Sequence, residues 1–399
     1  MRQRQQGQAR AAPAPAAVAA TSWCRPARFA AIAVLAAAVG AASPAASAAG
    51  PTPVGGAGAG TETYPVAVFG SDDRVDVPTR LLALKEKIGL LFSQRSRLVC
   101  TAFCVAPNVV ATAGHCLYRT HGEEAPALAD FRFARNFAGK HHFERIAGSG
   151  HSAAAQYVMS GSMDLNVRPP IDASKDWALL RLSRPACDRG VLPLRALSGE
   201  AIIAAAAARR IFQVSYHRDF KPWRLAYSRP CGVARSFAAA DWAAIAADFT
   251  DPAQLLLHTC DTGGASSGSP LLLADADGVA AVGVNVGTYV QSKVLMEDGR
   301  ITKRLEAAEV ANTAVNASAF ASKLATFQQA TILGSADEIR ALQLALKLRA
   351  HYAGTIDGTY GAALRSAIEA YEGAQDLPVT GLATKALLQR LNGRPLQRP

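Results

Sequence analysis

The chain has no Cys-x-x-Cys pair, which sets aside a zinc ribbon or a thioredoxin-like redox site. No stretch approaches the roughly 20 consecutive apolar residues that a bilayer span needs, so a polytopic membrane protein is excluded. Charged residues make up only 18% and form no Lys/Arg-rich run, so nucleic acid is not an expected partner. Gly-x-y periodicity, heptads and internal repeats are all missing, which removes collagen and coiled coil. Apolar residues make up 50%, enough for a packed core, so global disorder is excluded as well. At 399 residues the chain suits two to three domains.

Five arginines and no acids fall in the first 48 residues. Removing them from the formal +11 leaves a modest, diffuse +6. Arg25 and Arg28 precede the apolar run Phe29–Ala42, about 14 residues and too short to span. Ala46-Ser47-Ala48 then fits an A-x-A cleavage site. Residues 1–48 therefore read as a signal peptide without a twin-arginine pair, and the expected location is secreted or periplasmic. No stable membrane span is expected after its removal. Cys24 leaves with the signal, and the six remaining cysteines can pair completely, in 15 ways on paper.

Residues 49–63 are Gly/Pro/Ala-rich and read as a linker or propeptide. From 64 to 322 short apolar runs alternate with Gly, Pro and Asp, among them LVCTAFCVA, WALLRLS, RIFQVSY and VAAVGVNVG. Many short strands at modest spacing predict a mainly β domain, barrel or sandwich. Ala-rich stretches at 199–209 and 237–248 are expected as helical insertions. After a linker at 323–334, apolar residues recur at helical spacing in DEIRALQLALKLRAHY, AALRSAIEAYEGA and TKALLQRL. This predicts a small three-helix domain over 335–394, with Ser335 at the first helix start.

The segment CTAFCVAPNVVATAGHC ends one strand-like run on His115 and Cys116. Asp176 opens DWALLRL, and CDTGGASSGSPLLL is a Gly/Ser loop leading into an apolar strand. His, Asp, Ser in that chain order is one of the known arrangements for a hydroxyl nucleophile with its base and orienting acid. Asp172 is the rival of Asp176, and Ser266 and Ser269 are the rivals of Ser267. The other histidines lack such a context.

On FGSDDRV, TAGHC, DWALL and SSGSP the chain resembles trypsin-like serine proteases of the S1 clan, nearest the bacterial glutamyl-endopeptidase-like branch. The resemblance covers roughly 64–320. It implies two antiparallel, chymotrypsin-like β-barrels of six strands each, with Ser267 as nucleophile, His115 as base and Asp176 as its orienting acid. It also implies an oxyanion hole from the N–H groups of Ala265 and Ser267, each donor worth about 3–4 kcal/mol in the transition state. The Cys100–Cys116 spacing is that of the family disulfide beside the catalytic His. Cys231–Cys260 is the expected second bridge, and Cys104–Cys187 is what then remains. The pattern departs from the family at Ala265, normally Gly, and at Ser266, where trypsin has the Asp that receives a newly cut N-terminus.

By count, Asp261 falls where trypsin keeps its pocket acid, although it also reads as structural. Asn285, Val286, Gly287 and Thr288 would line the pocket and pair with substrate. Glutamyl endopeptidases have His where Asn285 stands, so Glu specificity is not supported. The segment 335–394 resembles the peptidoglycan-binding-like module of bacterial exported enzymes through Ile356-Asp357-Gly358, Tyr360-Gly361 and Leu377-Pro378-Val379-Thr380-Gly381. Tyr352, Asp357, Tyr360 and Arg365 are its candidate glycan contacts, provided they are exposed.

Together these readings point to an exported serine endopeptidase acting on protein or peptide, with peptidoglycan as a second partner and no cofactor or metal expected. The alternative is a non-catalytic, wall-associated binding protein on a decayed protease fold. A peptidoglycan hydrolase would require a zinc or Cys/His site, and the sequence offers neither.

Overall fold

In the computed structural model, the described residues are 67–393 apart from 94, 119–125, 138–142, 152, 167, 222, 238–241 and 298–299. For 151, 244 and 290–310 only the backbone is described. The signal, the 49–63 segment, and His121, His141 and His142 lie outside the described residues.

Two curled antiparallel sheets are built from the described residues between 75 and 316. Chain order runs β1 Val75–Asp76, β2 Ile88–Ser93, β3 Val99–Ala106, β4 Val109–Thr112, β5 Phe131–Arg135, β6 Glu144–Arg145, β7 Val158–Ser160 and β8 Ala178–Arg181. It continues with β9 Ile211–Tyr216, β10 Leu225–Ser228, β11 Val233–Ala234, β12 Leu255–His258, β13 Pro270–Asp275, β14 Gly278–Glu297 and β15 Arg300–Asn316. The first sheet has seven strands in the order β6-β5-β2-β3-β4-β8-β7. The second has eight, β1-β10-β9-β13-β14-β15-β12-β11. The expected pair of curled sheets is present, with one and two more strands than six. The extra members of the second sheet include the two-residue β1, contributed by the N-terminal segment.

The runs read as strands are strands because they are buried on both faces. Phe103, Val110, Ala111, Leu179 and Leu180 have no exposed surface. Truncating such a Phe or Leu to Ala costs about 2–5 kcal/mol. Three disulfides join Cys100–Cys116, Cys104–Cys187 and Cys231–Cys260, with Cα separations of 6.2, 5.7 and 4.9 Å. All three expected pairings are therefore formed. The two Ala-rich insertions are α1 Gly199–Ala207, capped by Ser198, and the short α2 Trp242–Ala247.

Three helices follow as expected: α4 Ala336–Lys347, α5 Ala362–Ala374 and α6 Lys385–Leu391, preceded by α3 Ala321–Gln329. Ser335 and Glu338 form a reciprocal capping box at the start of α4, so two otherwise orphaned N–H groups are satisfied. Residues 323–334, expected as a linker, prove to be largely α3, whose Phe327 is fully buried. The helices are also not a loosely tethered body. Arg365 on α5 donates to Ser160 Oγ at 2.8 Å and to the Ser160 carbonyl at 2.6 Å. Arg181 stacks over the Phe327 ring and donates to the carbonyls of Phe327 and Ala330. Trp177, next to Asp176, stacks on Phe320 with centroids 5.4 Å apart. Among the described residues, no helix is long and apolar enough to cross a membrane.

Candidate active site

The loop from Asp261 to Ser269 meets the end of β4 and the start of β8 at one edge of a cleft of about 680 Å³. His115 stands on a single 3-10 turn, Gly114–Cys116, tied to β3 by the Cys100–Cys116 bridge. Closing a loop of that length stabilises by about 3 kcal/mol. Asp176 caps a second 3-10 turn, Ala173–Lys175. Its two carboxylate oxygens take separate partners: Oδ1 accepts the His115 backbone N–H at 2.7 Å, and Oδ2 faces His115 Nδ1 at 2.7 Å. An acceptor there fixes the proton on Nδ1 and leaves Nε2 as the free base nitrogen. Burial opposes the charged imidazole, yet the Asp176 charge and hydrogen bond prevail and raise the His115 pKa above the ordinary histidine value. Asp176 is buried and the His115 side chain is 28% exposed, so the free edge of the ring meets the cleft.

The rivals are committed elsewhere. Asp172 pairs with Lys175 at 2.9 Å and accepts from the Asn166 N–H. Ser269 Oγ accepts from Gln213 at 2.7 Å, and Ser266 is buried beside the Asn285 amide. Ser267 is the half-exposed member of the three. Among the described residues its hydroxyl makes no hydrogen bond, to His115 or to any other group. Its carbonyl is pinned by the Thr101 N–H at 2.9 Å. Gly268 follows at φ +82°, where an added Cβ would overlap Thr112 Oγ1 and the Thr101 carbonyl, so only glycine fits.

Ala265 takes φ +80°, the left-handed conformation that its glycine counterpart would adopt at lower cost. The Gly264 carbonyl accepts the Arg218 N–H at 2.7 Å, and the Ala265 carbonyl accepts Thr101 Oγ1 at 2.8 Å. A trans peptide opposes its C=O and N–H, so anchoring the Gly264 oxygen turns the Ala265 N–H the other way. Among the described residues neither the Ala265 nor the Ser267 N–H is taken by an internal acceptor. Two donors on one tight turn beside a base are what a developing oxyanion requires.

Val286, Gly287 and Thr288 line the cleft, together with His115, Asp176 and Ala265. Asn285 does not. It is buried, and its side chain accepts from His258 Nε2 at 3.0 Å and donates to the Ser266 carbonyl. Asp261 also departs from its pocket role. It is 2% exposed, and its carboxylate accepts the Phe69 and Asp73 N–H groups, each at 2.9 Å. It anchors the N-terminal segment behind the loop instead of facing a substrate cation. Thr101 went unnoticed in the sequence, and Asn285 was read as a pocket residue and not as the partner of His258, because neither role is marked by a motif that distinguishes it from a core residue.

Among the described residues, two places bring two cysteine sulfurs and an imidazole nitrogen within 4.8 Å of one another, at Cys100/His115/Cys116 and Cys231/His258/Cys260. In each the sulfurs are joined as a disulfide, so neither offers thiolate ligands.

On the helices, Tyr352 and Tyr360 are buried, with hydroxyls donating to the Thr355 and Gly381 carbonyls. Arg365 is spent on Ser160. The exposure required of these three as glycan contacts is therefore lacking. Asp357 is exposed, but its carboxylate accepts from Gln343 and from the Thr359 N–H, which closes the turn.

Residues 100–284 match the family model of the trypsin-like peptidase domain. This chain carries a trypsin-like peptidase domain. Residues 335–391 match the model described as a putative peptidoglycan binding domain, which makes the helical module the C-terminal partner of the peptidase domain. No curated protein matches the sequence. Among solved structures, the protease Anisep from Arthrobacter nicotinovorans is similar at 15% identity and TM-score 0.37, over 57% of this chain and 89% of that one. A Glu endopeptidase is similar at 16% identity and TM-score 0.37, over 66% of this chain and 99% of that one. The thermostable serine protease AL20, from an extremophilic microorganism, is similar at 16% identity and TM-score 0.36, over 59% and 92%.

Proposed function

We propose that the protein is an exported serine endopeptidase that hydrolyses peptide bonds through an acyl-enzyme on Ser267. The observation that carries this reading is the two-point grip of Asp176 on His115, one oxygen on the backbone N–H and the other on Nδ1, both at 2.7 Å. That grip selects the tautomer a general base needs and compensates the positive charge the ring acquires. In the reaction, His115 Nε2 takes the Ser267 proton as Oγ attacks the scissile carbonyl. The carbonyl oxygen becomes an oxyanion facing the Ala265 and Ser267 N–H groups. His115 then returns the proton to the leaving amine, and water repeats the sequence to free the acid. Among the described residues Ser267 and His115 make no hydrogen bond, and such contacts commonly tighten when substrate fills a cleft.

Three disulfides and the C-terminal peptidoglycan-binding family match favour action outside the cytoplasm, with cell-wall glycan as the ligand of the helical module. A fluorophosphonate probe tests the enzyme reading. Labelling of the wild type that disappears in Ser267→Ala is the expected result. A folded, disulfide-intact wild type that never labels refutes it and favours the non-catalytic binder. Co-sedimentation with purified sacculi tests the glycan reading in the same protein.

A further inference from the structure

The peptidase domain has Ser266 where a trypsin-type zymogen would keep the carboxylate that receives a new N-terminus. Some other device must hold the oxyanion turn, because Ala265 is kept at φ +80° against its own preference. Behind that turn lies a charged cluster that the catalytic reading does not use. Arg74, 5% exposed, donates to Asp72 and Asp219 at 2.8 and 2.6 Å, and its Nη1 lies 3.3 Å from His217 Nδ1. The cluster presses directly on the loop. A Cβ added at Gly263 would overlap the Asp219 carboxylate and come within 3.0 Å of Arg74 Nη1. Asp219 directly follows Arg218, whose N–H holds the Gly264 carbonyl at 2.7 Å.

The same N-terminal segment grips the loop at two further points. Ala67 and Thr262 exchange backbone hydrogen bonds of 3.1 and 2.9 Å, and the Phe69 and Asp73 N–H groups hold the Asp261 carboxylate. We propose that Arg74, through its ion pair with Asp219, is a positioning residue that locks residues 263–265 in the conformation aiming the Ala265 N–H at the oxyanion. The N-terminal segment is thus a built-in clamp on the catalytic turn, held by a side chain and not by a cut chain end. Asp219 is the fulcrum: its carboxylate receives Arg74, while its neighbour's N–H fixes the peptide whose other end is the oxyanion donor. The cluster needs no titration to form. Arg74 is held firmly protonated by its two carboxylates, and His217 stays neutral.

This inference rests on the endopeptidase reading, and its test separates the two. In the full chain, Arg74→Gln, Arg74→Lys and Asp219→Asn are compared with wild type for fluorophosphonate labelling rate and for local hydrogen–deuterium exchange. We expect Arg74→Gln and Asp219→Asn to slow labelling by about 10- to 100-fold, less than the roughly 100- to 1000-fold that outright loss of an oxyanion donor costs, because the donor is misaimed and not removed. Exchange should accelerate across 262–268 while 109–118 and 173–181 keep their protection. Arg74→Lys keeps the charge but not the two-pronged geometry and should fall between. Labelling within about twofold of wild type overturns the proposal, and so does faster exchange spread equally over both sheets. Should Arg74→Gln fail to fold, Asp219→Asn decides by the same criteria. If wild type does not label, the peptidase reading fails. The exchange pattern at 262–268 then supports or overturns the clamp by itself.

Discussion

Acid should destabilise this protein before its carboxylates are protonated, because two histidines are sealed in the neutral form. His217 is buried with Nδ1 facing the Arg74 guanidinium and Nε2 donating to Ser215 Oγ at 2.8 Å. Burial and then the Arg74 charge push its pKa down to about 3, with Asp219 and Asp72 only partly compensating. His258 is buried with Nδ1 accepting the Cys260 N–H and Nε2 donating to Asn285, and burial pushes its pKa down to about 4. In both rings the nitrogen that would gain the proton already faces a donor. Both folded pKa values lie below the unfolded value near 6.5, so their stabilising contribution is present above that pH and is lost as pH falls toward 3–4. At about 1.4 kcal/mol per unit, each group costs roughly 2 kcal/mol between pH 7.5 and pH 5, or about 4 kcal/mol together. His115 has the opposite sign: its raised pKa contributes fully below about 6.5 and is lost as pH rises, so it adds no slope below pH 6. Urea unfolding followed by tryptophan fluorescence, disulfides intact, should show this fall, and His258→Gln should halve the slope between pH 6 and pH 5. A flat profile over that interval, or an unchanged slope in the variant, would refute the reasoning.

Other substitutions separate anchoring from recognition. Asp261→Asn should lower the thermal midpoint by loosening the Phe69 and Asp73 contacts, while peptide-library profiling shows an unchanged P1 preference; a switch away from basic P1 residues would restore its pocket role. Ala265→Gly should stabilise by about 1 kcal/mol by relieving the left-handed φ, read as a higher thermal midpoint without loss of labelling. Gly268→Ala should abolish labelling even where the chain still folds, because the new Cβ overlaps β3 and β4 backbone and hydroxyl groups. Arg365→Ala removes the charged anchor to Ser160 and should cost about 3 kcal/mol, measured by denaturation. Since charge-assisted bonds are being lost, Arg365→Lys should recover only part.

Much of this fold is written locally. Strands β3, β4, β8 and β13 are mainly apolar runs, and α4 announces itself by Ser335 and Glu338. The candidate site is legible for the same reason, since His115, Asp176 and Ser267 each lie in a short stretch whose neighbours have a local task. Gly268 is required by its φ, a Cβ added at Gly114 would come within 3.2 Å of the Asp176 carboxylate, and Cys116 is a bridge end. What could not be read is who meets whom across long sequence distances. Arg365 and Ser160 are 205 positions apart, and nothing in either helix periodicity or strand alternation marks the pair. Likewise α3 looked like a linker because its apolar content is low; its one fully buried aromatic, Phe327, acts through a partner in β8.

Asp261 shows why counting along a loop misleads where geometry decides. Six residues before the nucleophile, the position suits a pocket acid only if the chain between them turns with its side chain toward the cleft. Here the Ala67–Thr262 bridge draws the strand's outer edge against the N-terminal segment, and the carboxylate finds two backbone N–H groups there. Two such bonds satisfy a buried carboxylate that no substrate cation needs to neutralise, even though burial pushes its pKa above the ordinary carboxylate value. The acid that would have recognised substrate is thus committed to holding the N-terminal segment in place. The cleft wall contributed by β14 is then the uncharged Val286, Gly287 and Thr288, and the charged groups that line the cleft with it, besides the His115–Asp176 pair, are Arg97, Asp172 and Arg218.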